Sequence, residues 1–348
     1  MRTLLVPSLL ASVLAFSSCG GDASVAKQPD APSQQKPKIA FVSNCVAEFW
    51  TLAAHGVEAA REASGAEVAV QMPPNGTAEE QIRILEDALG KGTKAIAVSP
   101  KDPENMTGLL DRIAERALLI THDSDAPKSK RLCYVGMDNY EAGRMCGQLV
   151  KEALPQGGAI VVVVGTLDQD NAKRRRQGLV DELLDRSMDN TRFDPQDAVL
   201  KGSKYEIRAS YTDQFDRQKC KAIAQDVLGK WGDVACLVGL FEYEPPLLLD
   251  AVKSANKLGK VKVVAFDENP ETLQGILDGH VHGTVVQNPY EYGRASVELL
   301  GKLLREPDAE KRKALLPASG FLNIPARKIT KDVVAAFWAD LKAKTGAK

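Results

Sequence analysis

The chain has 348 residues, 44% hydrophobic and 26% charged, which excludes a mostly disordered protein and supplies core material for about two domains. Its 45 Lys and Arg face 46 Asp and Glu, so there is no global positive field to gather DNA or RNA. The basic run at Lys173, Arg174, Arg175 and Arg176 therefore needs a local explanation.

The first residues, MRTLLVPSLLASVLAFSSCGGD, carry Arg2, an apolar run from Leu4 to Phe16, and Ser17 and Ser18 ahead of Cys19. That is the pattern of a bacterial export signal, too short for a good membrane span. Its small-small-Cys ending resembles the lipobox at which lipoprotein precursors are cut and acylated, although Phe16 stands where that pattern prefers Leu. Residues 1–18 are expected to be a signal peptide and Cys19 the lipid attachment site. Residues 19–37, polar with Pro and Gln and without apolar periodicity, read as a flexible lipid-anchored tether. Contact with the membrane is expected only through that lipid.

From Lys38 onward, short β-branched runs alternate with helical patterns. KIAFVS is followed by the helix EFWTLAAHGVEAAREA, EVAVQM by TAEEQIRILEDALGKG, then come KAIAVS, ALLITHD, LCYVGMD and the helix YEAGRMCGQLVKEAL. A second series follows: AIVVVVG, YEIRASY, VACLVGL, KVVAFD and HGTVVQ. The alternation predicts an α/β fold with parallel sheets covered by helices on both faces. Two sets of about five strands favour two Rossmann-like, doubly wound lobes over one large sheet, with the ligand beyond the carboxyl ends of the strands, in the cleft between lobes.

This directs attention to the residues that close the strands: Asn44, Ser99, Asp123, Asp138, Phe215, Phe241, Asp267 and Gln287. The rival reading of an exported α/β enzyme finds little support. The first turn, SNCVAEFW, lacks the glycines of a dinucleotide site, and neither a GxxxxGK[ST] loop nor a GxSxG elbow occurs. Beyond Cys19, the cysteines Cys45, Cys133, Cys146, Cys220 and Cys236 form an odd set without CxxC spacing, mostly core residues, though one disulfide is open to them. His280 and His282 have no further ligand cluster nearby. No metal, cofactor or nucleic acid is expected.

At this point the chain resembles the periplasmic sugar-binding proteins of ABC importers of the ribose and xylose type, relatives of the lac-repressor effector domain. The likeness covers about residues 38 to 330. It rests on the order and spacing of IAFVSNCVAEFWTLAAHGVEAA, GTKAIAVSPKDP, LITHDSDAP, YVGMDNYEAG, DNAKRRRQG, QFDRQKC, VVAFDENPETLQGILDG and GTVVQNPYEYG. The resemblance implies the periplasmic binding protein-like fold: residues 38–137 plus 288–317 as a first lobe, and 138–287 plus 318–348 as a second. Three hinge segments, near Met137–Asp138, Gln287–Asn288 and Pro317–Gly320, would let the lobes close on a monosaccharide or similar polyol. It further implies a monomer without catalytic activity in the cell envelope, periplasmic or on the outer face of the cytoplasmic membrane. Its partner would be an ABC permease, or alternatively a chemoreceptor or sensor kinase.

Carried over residue by residue, the resemblance makes Phe49 and Trp50 aromatic walls and Asp123 a hydroxyl-binding carboxylate of the first lobe. Arg175, Phe215, Phe241 and Asp267 come from the second lobe, and Gln287 from a crossover. Apolar C–H faces of a sugar stack on aromatic rings, while its hydroxyls both donate and accept hydrogen bonds. Asn44, Glu48, Ser99 and Asp138 are weaker candidates. Against these roles stand plainer ones: Phe49 and Trp50 as core, Asp123 and Asp267 as helix caps. Departures bear on specificity: Ser124 replaces the Arg usual in ribose binders, CVAE replaces a turn with Asn and Pro, and Phe241 replaces Asn. The pocket is expected to be more apolar than a ribose site, with Glu48 offering a further carboxylate.

The basic run opens a helix into QGLVDELLD, with Asp170 or Asn171 as its cap. Arg174 aligns with Gly178, Asp181, Glu182 and Asp185, the face expected to be solvated. Arg175 and Arg176 both align with the buried stripe, and the family pattern, Arg three residues before Gly178, selects Arg175 for the ligand.

Overall fold

A computed structural model describes residues 36–345. The expected signal peptide, Cys19 and nearly all of the expected tether lie outside the described residues.

All ten runs singled out in the sequence form strands. In the first lobe these are β1 (Lys38–Val42), β2 (Glu67–Gln71), β3 (Ala95–Val98), β4 (Leu118–His122) and β5 (Tyr134–Gly136), separated by α1 (Glu48–Ser64), α2 (Ala78–Gly90) and α3 (Pro103–Ala114). In the second, α4 (Asn139–Ala153) leads to β6 (Gly158–Val164), α5 (Asp170–Leu183), a two-residue β7 (Leu200–Lys201), β8 (Tyr205–Thr212), α6 (Arg217–Lys230) and β9 (Val234–Gly239). Then come α7 (Glu244–Ser254), β10 (Lys262–Phe266), α8 (Pro270–Leu277) and β11 (Gly283–Val286). The tail holds α9 (Pro289–Arg305), α10 (Ala309–Ala314), β12 (Phe321–Asn323), β13 (Arg327–Thr330) and α11 (Val334–Thr345).

The first sheet has the order β12-β5-β4-β3-β1-β2 and is parallel throughout. The second has the order β13-β11-β10-β9-β6-β8-β7, parallel except for β13 and β7 at its edges. Both sheets are buried on both faces, which is why their strands read as unbroken apolar runs. Ile39 and Phe41 of β1 enter one core of the first lobe and Ala40 and Val42 the other; Ile160, Val162 and Val164 of β6 are separated from Val161 and Val163 in the same way.

Each lobe also holds one tight helix pair. A Cβ on Gly293 of α9 would lie 2.0 Å from the Ala53 carbonyl oxygen of α1, and one on Gly143 of α4 would lie 2.1 Å from the Arg175 carbonyl oxygen of α5. Only glycine permits so close an approach. The second contact fixes α5, and with it the arginine run, against the body of the lobe.

The chain leaves the first sheet after β5, at Met137–Asp138, and returns after β11, at Gln287–Asn288. The third crossing differs from the expectation at Pro317–Gly320. Phe321, Leu322 and Asn323 pair with Tyr134, Val135 and Gly136 of the first sheet, so the chain crosses between Asn323 and Arg327. The segment up to Asn323 thus belongs to the first lobe, not the second. A strand of three residues, only partly buried, gives no periodicity from which to recognise it.

Candidate functional site

The carboxyl ends of the strands of both lobes meet round a cleft of about 550 Å³, a volume suited to a small-molecule ligand. Asn44, Glu48, Phe49, Trp50 and Asp123 line it from the first lobe, Arg175, Phe215, Phe241 and Asp267 from the second, and Gln287 from a crossing. The eight leading candidates therefore come together, with Asn44 and Glu48 beside them.

Arg175 lies at the centre and is 1% exposed. Its Nε donates to Asn139 Oδ1 at 2.9 Å and its Nη1 to the Leu240 carbonyl at 3.3 Å, while the guanidinium covers the Phe266 ring, 4.5 Å from the centroid. Nη2 has no hydrogen-bond partner in the protein. Asp123 Oδ1 and Asp267 Oδ2 lie 3.8 and 4.0 Å from the guanidinium nitrogens, beyond hydrogen-bond range but well within that of charge attraction.

Asp123 sits at the head of a relay within the first lobe. Trp50 Nε1 donates to Asn44 Oδ1, Asn44 Nδ2 to Ser99 Oγ, and Ser99 Oγ to Asp123 Oδ2. Asn171 Nδ2, from the second lobe, donates to the same Oδ2 at 3.3 Å. Asp267 Oδ1 accepts from Gln287 Nε2, whose Oε1 accepts from Tyr292 Oη. Burial pushes both carboxyls upward against the pull of Arg175, Asp267 to about 7. Each polar chain fixes the rotamer of its carboxylate before a ligand arrives.

The aromatic wall is set by backbone as much as by packing. Phe215 has φ of 63° and follows Gln214 at 60°, a left-handed pair uncommon for such side chains. Asp213 Oδ1 accepts from the Phe215 N–H and from Tyr243 Oη, and Glu244 Oε2 accepts from the Phe241 N–H. A Cβ on Gly165 would meet the Phe241 ring at 2.6 Å, so the solitary glycine after β6 makes room for that ring instead of approaching a phosphate. Lys101 Nζ, from the first lobe, stands 3.5 Å from the Phe215 centroid.

Several expectations are corrected. Asp138 does not line the cleft: its Oδ1 accepts from Tyr140 N and Glu141 N and caps α4. Ser99 is one layer back, bonded to Asp123. Neither Asp170 nor Asn171 caps α5, whose cap position is Gln169 without a side-chain bond. The face of Gly178, Asp181 and Glu182 is buried rather than solvated, because α5 packs on α4 there; Asp181 is held by Tyr140 Oη, Gln177, Arg186 and Arg192. Both inward arginines are used. Arg176 donates to Ser210 Oγ and to the carbonyls of Asp194 and Pro195, a structural role, while Arg174 pairs with Asp170 at 2.7 Å. Phe49 and Trp50, 7% and 2% exposed, are core and cleft residues at once. The five described cysteines are free thiols.

Sequence reasoning missed Gln169 and Asn171 as cleft residues. Gln169 is fully buried, lines the cleft and has neither amide atom bonded. The sequence offers Asn171 only as a candidate helix cap and gives no signal for Gln169; the docking of α5 against the cleft gives both another role. Asn269 caps α8, and its amide also donates to Glu242 Oε1 in the cleft wall.

The cleft can hold a ligand rich in hydroxyls between apolar rings and a buried guanidinium flanked by two carboxylates. Comparison with known proteins agrees with that architecture. The chain is 25% identical over 292 residues to the ribose import binding protein of Salmonella typhimurium, covering 82% of this chain and 90% of the relative. It is 23% identical over 313 residues to the D-ribose/D-allose-binding protein of Pseudomonas aeruginosa, covering 86% and 91%. Among solved structures, an ABC transporter solute-binding protein of Burkholderia graminis in complex with D-arabinose shares the fold with a TM-score of 0.76 at 21% identity, over 87% of this chain and 98% of the other. The family model described as periplasmic binding protein domain matches residues 39–308, and the chain belongs to that family.

Proposed function

We propose that this protein captures a monosaccharide or related polyol in the cleft and delivers it to an ABC importer, without transforming it. One observation carries the reading. Arg175 Nη2 and both amide atoms of Gln169 are buried without protein partners, on two residues that line the cleft. Leaving such groups unpaired costs about 1 to 3 kcal/mol each, a cost that a bound polyol removes. Asp123 and Asp267 would accept from hydroxyls, Arg175 and Gln287 would donate, and Phe215 and Phe241 would cover C–H faces of the ring. Relatives named for ribose and allose support the ligand class. The reading includes export, a lipid on Cys19 and a monomer working outside the cytoplasmic membrane.

The test is a thermal-shift screen across pentoses, hexoses, deoxysugars and inositols. A ligand at 100 times its Kd stabilises by about 2.7 kcal/mol. A shift with one member identifies the ligand; no shift with any would remove the reading. Turnover of a sugar offered in excess would replace binding by catalysis.

A further inference from the structure

A buried tyrosine hydroxyl of the first lobe stands at each of the first two crossings. Tyr134 opens β5, just before Met137–Asp138, and Tyr292 lies on α9, just after Gln287–Asn288. Each hydroxyl meets an amide on the far side of its crossing. Asn139 Nδ2, at the start of α4, donates to Tyr134 Oη at 3.0 Å, and Tyr292 Oη donates to Gln287 Oε1 at 3.2 Å. The other end of each amide holds a ligand group of the second lobe: Asn139 Oδ1 accepts from Arg175 Nε at 2.9 Å, and Gln287 Nε2 donates to Asp267 Oδ1 at 2.8 Å.

Chemistry fixes which way each amide faces. A guanidinium can only donate, so Asn139 turns Oδ1 to Arg175 and Nδ2 to Tyr134, whose own proton goes to the carbonyls of Asp123 and Met137, at 2.9 and 3.1 Å. An ionised Asp267 can only accept, so Gln287 turns Nε2 to it and Oε1 to Tyr292. Two one-way chains result, in which each bond polarises the next. Gly136 makes room for the first: a Cβ there would lie 2.3 Å from Tyr134 Oη. The Tyr134 ring also stacks on Phe321 of β12, with 5.2 Å between centroids, and so touches the strand that leads to the third crossing.

Rotation of the lobes about Met137–Asp138 and Gln287–Asn288 moves each amide against its tyrosine. Breaking these bonds leaves Gln287 Oε1 with no other hydrogen-bond partner among the described residues, and Asn139 Nδ2 with only the Asp123 and Met137 carbonyls at 3.4 and 3.5 Å. Buried polar atoms short of a partner oppose the movement.

Resting on the reading of the cleft as a sugar site, we propose that Tyr134 and Tyr292 are positioning residues that latch the lobes round the ligand from behind the cleft. Their hydroxyls tie Arg175 and Asp267 to the hinge, so a ligand held by those two side chains leaves only when both hydroxyl bonds give way.

The experiment is stopped-flow measurement on the full chain with D-ribose, D-allose, D-fucose and myo-inositol, followed by tryptophan fluorescence, since Trp50 lines the cleft. Ligand enters the open form, on which the latch does not act, and leaves after opening. Tyr134→Phe and Tyr292→Phe are therefore each expected to raise the dissociation rate about fivefold, the equivalent of about 1 kcal/mol, and the double variant about twenty-five-fold. Association rates should stay within about twofold of the parent. A merely structural role splits the other way, because a smaller competent fraction lowers apparent association. Should one hydroxyl prove necessary for folding, the other chain carries the test alone. Dissociation rates that neither variant moves, or an affinity loss carried by association, would overturn the inference and leave the sugar reading standing. No binding of any of these compounds by the parent would remove that reading, and the inference with it.

Discussion

Asp123 and Asp267 occupy equivalent places in the two lobes and converge on one arginine. Each follows the last residue of a strand, β4 or β10, and each adopts a left-handed backbone, with φ of 57° and 66°. Each donates its N–H to the middle of the neighbouring strand, Asp123 to the Val135 carbonyl and Asp267 to that of Val285. Positive φ turns both side chains off the strand path and toward Arg175, at 3.8 and 4.0 Å. The cleft is thus a pseudo-symmetric site to which only the second lobe contributes the cation.

This arrangement separates neighbouring arginines. Arg175→Lys keeps the charge but loses the bonds to Asn139 and Leu240 and the planar donor fork. Ligand affinity is expected to fall by about 2 kcal/mol or more, whereas Arg174→Ala, which removes a pair with Asp170 and a bond to the Asn190 carbonyl outside the cleft, should change it by about 0.5 kcal/mol or less. Equal effects of the two on titrated affinity would contradict the assignment of Arg175.

The raised carboxyl of Asp267 makes ligand-free stability depend on pH. Its folded value, about 7, lies above that of an unfolded aspartate near 3.9, so between these values the folded state holds more proton than the unfolded one. Stability from this group therefore falls as pH rises through that window and levels off above it. Asp267→Asn removes the slope. Relative to the parent, the ligand-free variant should gain about 1 kcal/mol or more between pH 5 and pH 8, read from urea midpoints. Parallel profiles would show that Asp267 is ionised throughout.

The two aromatic candidates separate under truncation. Trp50 packs edge-on against Phe49, Phe41 and His122 and donates to Asn44, so Trp50→Ala should cost the ligand-free protein about 3 to 5 kcal/mol. Phe215 is only half-buried, and Phe215→Ala should weaken binding by about 1 to 3 kcal/mol with a smaller loss of stability. Denaturant curves beside titrations distinguish them; a stability loss for Phe215→Ala equal to that for Trp50→Ala would make Phe215 core.

How much of this was written in the sequence follows from which forces leave a local trace. Doubly buried parallel strands leave unbroken apolar runs, and all ten were legible. Strands β7, β12 and β13 did not show, because each is short, lies at a sheet edge and carries polar residues such as Lys201, Asn323 and Arg327. The side chains closing the strands were legible as candidates since the fold class alone places a ligand there. Asp138 was indistinguishable from them by position, and only its bonds to Tyr140 and Glu141 reveal a cap. The acidic face of α5 misled for a related reason. Asp181 looks solvated in a periodicity argument, but Gly143, Gly147 and Gly178 bring α4 and α5 so close that it is buried with four partners. Those glycines were the available signal.

The same helix contact can be used to move Arg175 from a distance. The methyl group of Gly143→Ala would meet the Arg175 carbonyl oxygen at 2.1 Å, so α5 must shift. In Gly147→Ala, one turn away, the nearest atoms are the Glu182 Cβ and Cγ at 2.7 and 2.8 Å. Each should lower stability by about 1 to 3 kcal/mol. Only Gly143→Ala should also weaken ligand binding strongly; comparable affinity in both variants would show that Arg175 tolerates the displacement.

Closure of the cleft gives the last prediction. Besides the Arg175–Asp123 pair, two contacts bridge the lobes at the site: Asn171 Nδ2 to Asp123 Oδ2, at 3.3 Å, and Lys101 Nζ over the Phe215 ring, at 3.5 Å. Both couple a cleft residue of one lobe to the other lobe, so a ligand that orders Asp123 or Phe215 strengthens the bridge. The links available for a hinge are the crossings at Met137–Asp138, at Gln287–Asn288 and between Asn323 and Arg327. Small-angle scattering should therefore give a smaller radius of gyration with ligand than without. Removing these two, with Asn171→Ala and Lys101→Ala together, leaves only the Arg175–Asp123 attraction at the site and shifts the ligand-free population toward the open form, since each contact exists only when the lobes meet. Apparent affinity then falls in proportion to the lost closed fraction, about tenfold for 1.4 kcal/mol of closing energy. A radius that ligand leaves unchanged at saturation, or a double variant that binds as the parent does, would mean that the lobes do not move to trap the ligand.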